Sequence, residues 1–166
     1  TFGVIMLALV DSEPRVLNLK EVLSLYLDHQ KDVVLRRTRF ELSKAEERAH
    51  VLEGYRIALD NLDEVIALIR AAKNDGTAKE QLMVRFALSE RQAVAILDMQ
   101  LRRLTGLEQE KIETEYQQLL KTIARLQEIL GDMRLVYQII KDELLEIRDK
   151  FADERRTKIG LSLGDL

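Results

Sequence analysis

Glu47-Arg48-Ala49-His50 is an E-x-x-H sequence inside a stretch that reads as helix. A carboxylate and an imidazole at i and i+3 share one helix face, the spacing with which helical bundles ligate a pair of iron or manganese ions. Such a centre needs the motif twice, and the other histidine, His29, has Tyr26 where the second carboxylate should stand. The pair is therefore expected to be solvated or capped, and no residue is assigned to a metal. With no cysteine in the chain, a thiol nucleophile, a Cys-ligated zinc and a disulfide framework are all excluded. Serine and histidine are too sparse for a nucleophilic triad, and no G-x-x-x-x-G-K phosphate loop occurs. Carboxylates are plentiful, but they stand at helix-surface spacings from Lys or Arg. No catalytic or cofactor-binding residue is expected.

Lys31, Arg36, Arg37 and Arg39 form the one basic concentration. Two readings are open for it: contact with a nucleic-acid backbone, or pairing with the acidic residues Glu143, Glu146 and Asp149. The second is favoured, because the formal net charge of the chain is −3 and a free-standing nucleic-acid binder is usually clearly basic. Tyr116 and Tyr137, with Tyr26 facing them, are expected in the helix seam, and Tyr55 near the globular part; none is flanked like a nucleophile.

The elements that hold these residues follow from composition and period. Charged residues make up 33% of the chain, aromatics 5%, and Pro14 is the sole proline, so very long helices are permitted after it. The fold class expected is mainly α: a long antiparallel two-helix coiled-coil arm, a small helical globule at its tip and a short N-terminal β-hairpin. The run Phe2 to Val10 is about half the ~20 residues a membrane span needs. It also lacks the flanks of a signal peptide. Opening on Thr, directly in a strand-like run, suggests a piece of a longer chain. Absent cysteine fits a cytoplasmic setting.

Residues 1–17 read as the hairpin, with Asp11-Ser12-Glu13-Pro14 as turn chemistry. Asn18 and Glu21 form a capping box that opens an outgoing helix over 18–60. Its apolar stripe is read as Leu19, Leu23, Tyr26, Val33 and Phe40. Residues 61–106 read as a knob of short helices, capped at Asn61, Thr77 and Ser89 and closed by Gly106. The returning helix, 107–151, carries the clearest period: Ile112, Tyr116, Leu119, Ile123, Leu126, Leu130, Met133, Tyr137, Ile140, Leu144, Ile147 and Phe151 are spaced alternately by four and three. Gly131-Asp132 interrupts it. A glycine tolerated within one helix is one reading, and a break or hinge, giving helices 107–130 and 133–151, is the preferred one. Residues 152–166 read as linker.

The segment 90–104 is apolar on two sides. Val94, Leu97, Leu101 and Leu104 form one stripe, and Ala93, Ala95, Ile96 and Met99 line much of the rest. A helix apolar beyond a 100° stripe must bury two faces. In a small knob, one face can go to the core and the other to a partner. The expected partner is a second copy of the chain, through Leu88, Gln92, Ala95, Ile96, Met99, Gln100 and Arg103.

Four separated blocks carry a family resemblance: Val34 to Leu42 (VLRRTRFEL), Ala49 to Arg70 (AHVLEGYRIALDNLDEVIALIR), Leu88 to Glu108 (LSERQAVAILDMQLRRLTGLE) and Arg148 to Ile159 (RDKFADERRTKI). In order and over residues 2–159 they resemble the A subunit of bacterial type IIA DNA topoisomerases. Leu104-Thr105-Gly106-Leu107-Glu108 looks more like DNA gyrase than topoisomerase IV. The resemblance implies the end of the tower domain at 1–17, then the coiled-coil arm carrying the C-gate, through which a transported duplex leaves. It further implies a homodimer at the knob, within an A2B2 enzyme that acts on double-stranded DNA in the bacterial cytoplasm, at the nucleoid. ATP and Mg2+ would be used by the B subunit. The family's catalytic tyrosine lies in a domain upstream, so no residue here takes that role and the chain alone should be inactive. A stand-alone coiled-coil scaffold or nucleic-acid-gripping arm is the alternative.

Overall fold

The computed structural model describes residues 3–100 and 105–157. Among these the chain is mainly α, an antiparallel hairpin followed by helices. Strands β1 (Met6–Val10) and β2 (Glu13–Leu17) pair with Met6 opposite Leu17 and Val10 opposite Glu13. Asp11 and Ser12 both take positive φ, 52° and 69°, the mirror-image two-residue turn whose twist suits a hairpin. The turn is thus tighter than the expected Asp11–Pro14. Pro14 lies within β2, opposite Leu9, which is tolerable because each strand of a two-stranded sheet is an edge.

Helix α1 (Leu19–Asp60) runs for 42 residues, about 63 Å at 1.5 Å per residue. Its capping box is formed: the Glu21 N–H donates to Asn18 Oδ1 at 2.9 Å, and the Asn18 N–H to Glu21 Oε2 at 2.8 Å. The remaining helices are α2 (Leu62–Ala71), α3 (Asp75–Phe86), α4 (Glu90–Leu97), α5 (Gly106–Gly131) and α6 (Met133–Phe151). α5 and α6 are divided by Asp132 in an extended conformation, φ −130° and ψ 107°, so the break expected at Gly131-Asp132 is present.

The chain divides into two compact units, residues 1–34 with 133–166, and residues 35–132. In the first, Leu17, Val34, Val136 and Ile140 are buried, and Leu27 lines one groove with Tyr137, Ile140 and Leu144. In the second, α1 and α5 run antiparallel. Glu46 is reached by Gln127, Arg48 by Glu115 and Arg56 by Glu113, so numbers rise on one helix as they fall on the other. The Arg56 guanidinium also lies 4.5 Å from the Tyr116 ring centre. The core of this unit is Leu52, Tyr55, Ala58, Val65, Leu82, Leu88, Ala93, Ile96 and Ile112.

Several local expectations are corrected. Asn61 makes no N-cap bond; its side chain donates instead to the carbonyl of Ile57, closing α1. Asn74, not Thr77, caps α3, accepting from the Thr77 N–H at 2.8 Å. α4 ends at Leu97, and Gly106 opens α5 instead of terminating its predecessor. The stripe read along α1 is not the buried one. Leu19, Leu23 and Phe40 are exposed, as are Tyr26 and Tyr137, whereas Val34, Thr38, Ala45, Ala49 and Leu52 are buried. In α5 the seam holds at Ile112 and Leu126. In α6 it falls on Val136 and Ile140, leaving Met133, Ile147 and Phe151 exposed. One extended residue at Asp132 shifts the helical phase, so of the heptad positions counted through it Ile140 alone is buried among the described residues of α6.

Candidate interaction site at helix α4

α4 is opened by Ser89, whose hydroxyl accepts from the Gln92 N–H while Gln92 Oε1 accepts from the Ser89 N–H, a complete capping box. This start is fastened to α1. Ser89 Oγ lies 2.6 Å from His50 Nε2, and Gln92 Nε2 donates to the His50 carbonyl at 2.8 Å and faces His50 Nδ1 at 3.4 Å. Arg91 reaches Glu47 at 3.2 Å. A Cβ on Gly54 would meet the Cβ and Cγ of Gln92 at 2.8 Å, so only glycine admits this approach. The hydrogen bond from Arg91, helped by Lys44, holds the Glu47 carboxyl of α1 below its ordinary value, and Lys79 does the same for Glu90, the first-turn carboxylate of α4.

The E-x-x-H pair is therefore a clasp between helices, and no metal-binding cluster of His, Cys, Asp or Glu occurs among the described residues. Residues 160–164 spell G-x-S-x-G, the spacing of a nucleophile elbow, so the expectation of too few serines and histidines for a triad missed this motif; these residues lie outside the described ones.

Of the expected dimer-contact residues, three are corrected. Leu88, Gln92 and Ile96 are 4–5% exposed, committed to the chain's own core or to the clasp, so they cannot meet a partner without unpacking it. Ala95 and Met99 are half-buried and Gln100 is exposed; Arg103 lies outside the described residues, as do Leu101 and Leu104. Val94, absent from the expected contact set, is the apolar residue α4 turns outward, 41% exposed. Of the basic concentration, Lys31 pairs with Asp28 on its own helix. Glu146 pairs with Lys150 and Asp149 with Arg148, so these two are taken by neighbours on α6.

Among the described residues the fold is mainly helical, with a long first helix that fits a coiled-coil arm and a short clasped helix that turns Val94 outward. No helix among the described residues is long and apolar enough to cross a membrane. The family model for the A subunit of DNA gyrase/topoisomerase IV matches residues 1–145, and the chain belongs to that family. It is 58% identical, over 97% of its length, to the DNA gyrase A subunits of Staphylococcus aureus strain MRSA252 and of Staphylococcus epidermidis strain ATCC 35984. The chain spans 18% of the length of those relatives.

Proposed function

We propose that this chain is the C-terminal exit gate of a type IIA DNA topoisomerase, carried on its A subunit: a dimerisation and DNA-release module of an isomerase that passes one duplex through another. The family match supports the enzyme, and the outward apolar surface at α4 supports the contact. Val94 is its exposed apolar member, with the exposed Gln100 following and the half-buried Ala95 and Met99 packed toward the core. A two-fold contact uses the same patch on both copies, so one modest face suffices. A small apolar centre with a polar rim suits an interface that must part, unlike the larger apolar surfaces of obligate dimers.

In the whole enzyme the module would work with double-stranded DNA and a B subunit in an A2B2 assembly in the cytoplasm, the B subunit using ATP and Mg2+. No step of cleavage or hydrolysis is assigned to this chain. Gly131 and Asp132 act as the hinge in this reading. The break between α5 and α6 falls where the two compact units divide, and helices bend at identifiable defects of this kind.

Sedimentation tests the reading directly. The chain should be dimeric at tens of micromolar, and Val94→Glu should be monomeric with unchanged helix content. Burying two like charges near a two-fold axis costs several kcal/mol, about a hundredfold or more in the dimer constant. A monomeric parent chain, or a Val94→Glu variant that still dimerises, refutes the placement of the gate.

A further inference from the structure

The geometry of the E-x-x-H motif carries more than a generic packing role. On α1, Glu47, His50 and Gly54 stand at i, i+3 and i+7 on one helix face. Each meets the first turn of α4: Glu47 takes Arg91, His50 takes Ser89 and Gln92, and Gly54 takes the body of Gln92. We propose that His50 is a positioning residue, accepting at Nδ1 and donating from Nε2, that sets the placement of α4 and thereby of the contact face beside it.

The tautomer follows from the partners. The orientation of the Gln92 amide is fixed at both ends. Its oxygen faces the Ser89 N–H, which can only donate, and its nitrogen faces the His50 carbonyl, which can only accept. The same amide nitrogen lies beside His50 Nδ1, so that ring atom carries the lone pair. The proton of the neutral ring is then on Nε2 and donates to Ser89 Oγ at 2.6 Å. Turning the amide over to suit another ring state would set oxygen against the His50 carbonyl and break the capping box. Gln92 is 4% exposed, so water cannot replace what is lost. A ring whose proton is dictated by two partners, Ser89 and Gln92, is a fixed spacer between α1 and α4.

This inference rests on the gate reading for its consequence but not for its geometry, and the experiment separates the two. Nitrogen-15 NMR of histidine-labelled chain, with His29→Gln to assign the signals, should show His50 neutral and protonated at Nε2 at neutral pH. A proton on Nδ1, or a charged ring, overturns the proposal whatever the oligomeric state. Sedimentation of His50→Leu should then show the dimer constant weakened at least tenfold with helix content kept. His50→Gln, which can place an amide N–H where Nε2–H stood, should stay within about threefold of the parent. His50→Leu dimerising as tightly as the parent overturns the coupling to the gate. A monomeric parent refutes the gate reading and the proposed consequence, leaving the tautomer standing. Should His50→Leu fail to fold, His50→Gln decides: a tenfold loss there overturns the role of the donated proton.

Discussion

Two glycine-to-alanine substitutions in helices of the same unit should move stability in opposite directions. Gly54 lies within α1 and Gly131 is the last residue of α5; neither has positive φ. Replacing glycine by alanine at a helical φ gains up to about 1 kcal/mol, through propensity and a less disordered unfolded chain. At Gly131 the added methyl has nothing within 4 Å, so the gain should be realised. At Gly54 it would sit 2.8 Å from two carbons of Gln92. Those carbons are next to the α4 backbone, and the far end of the side chain is tied to Ser89 and His50, so it cannot swing aside. Overpacking of this kind costs about 1–3 kcal/mol, which outweighs the propensity gain. The net expectation is a loss of about 1–2 kcal/mol for Gly54→Ala against a gain of up to ~1 kcal/mol for Gly131→Ala. For a chain of this size each kcal/mol moves the midpoint by roughly 2–4 °C. The two variants should therefore melt several degrees on either side of the parent, followed by circular dichroism at one fixed protein concentration because association shifts midpoints. A Gly54→Ala variant as stable as Gly131→Ala would refute the clasp as a tightly packed contact.

Ala87 takes a left-handed conformation, φ 52°, at the end of α3, and Ser12 does so in the hairpin turn. Ala87→Gly and Ser12→Gly should each stabilise by about 0.5–1 kcal/mol, read as a rise in melting midpoint, and a fall at either position would contradict the backbone geometry. The Glu47 carboxyl, lowered by the Arg91 hydrogen bond and by Lys44, contributes stability that is present above the unfolded carboxylate value and lost as pH falls through the folded one. Carbon-13 titration of Glu47 should show the depressed value, and Arg91→Gln should raise it; an unmoved titration would remove Arg91 from the clasp.

Much of this was legible in the residues. Asn18 with Glu21 and Ser89 with Gln92 announce helix starts, because the capping box is a local transaction between residues three apart. Gly131-Asp132 likewise marks a break. The buried stripe was not legible. Thr38, Ala45 and Ala49 are inside, and small or polar residues carry little weight in a hydrophobic count, although small residues are what let two helices approach closely. Leu19, Leu23 and Phe40 look like core and are exposed. The clasp was also hidden, since His50 and Ser89 are 39 residues apart and no period links them. A signal did exist: a helix-interior glycine four residues after E-x-x-H costs about 1 kcal/mol, and such a residue needs a neighbour that comes too close for a side chain.

The burial of Ile96 in the chain's own core bears on the kind of gate the proposed function allows. A contact helix that gave its large apolar residues to the partner would expose them whenever the two copies parted, at roughly 25 cal/mol per Å2 of apolar surface. α4 has instead given Ile96 and Ala93 to the chain's own core, with Leu88 just before it, and keeps Val94 outside. In the proposed role, opening then removes only the outer contact, and each tip keeps a closed core and its tie to α1. Closing costs correspondingly little reordering, because His50, Ser89 and Gln92 hold α4 in place before the partner arrives, and preorganisation of this kind lowers the entropic cost of association. In the proposed role, separating the two jobs, core inside and contact outside, would let one short helix serve an interface made to open.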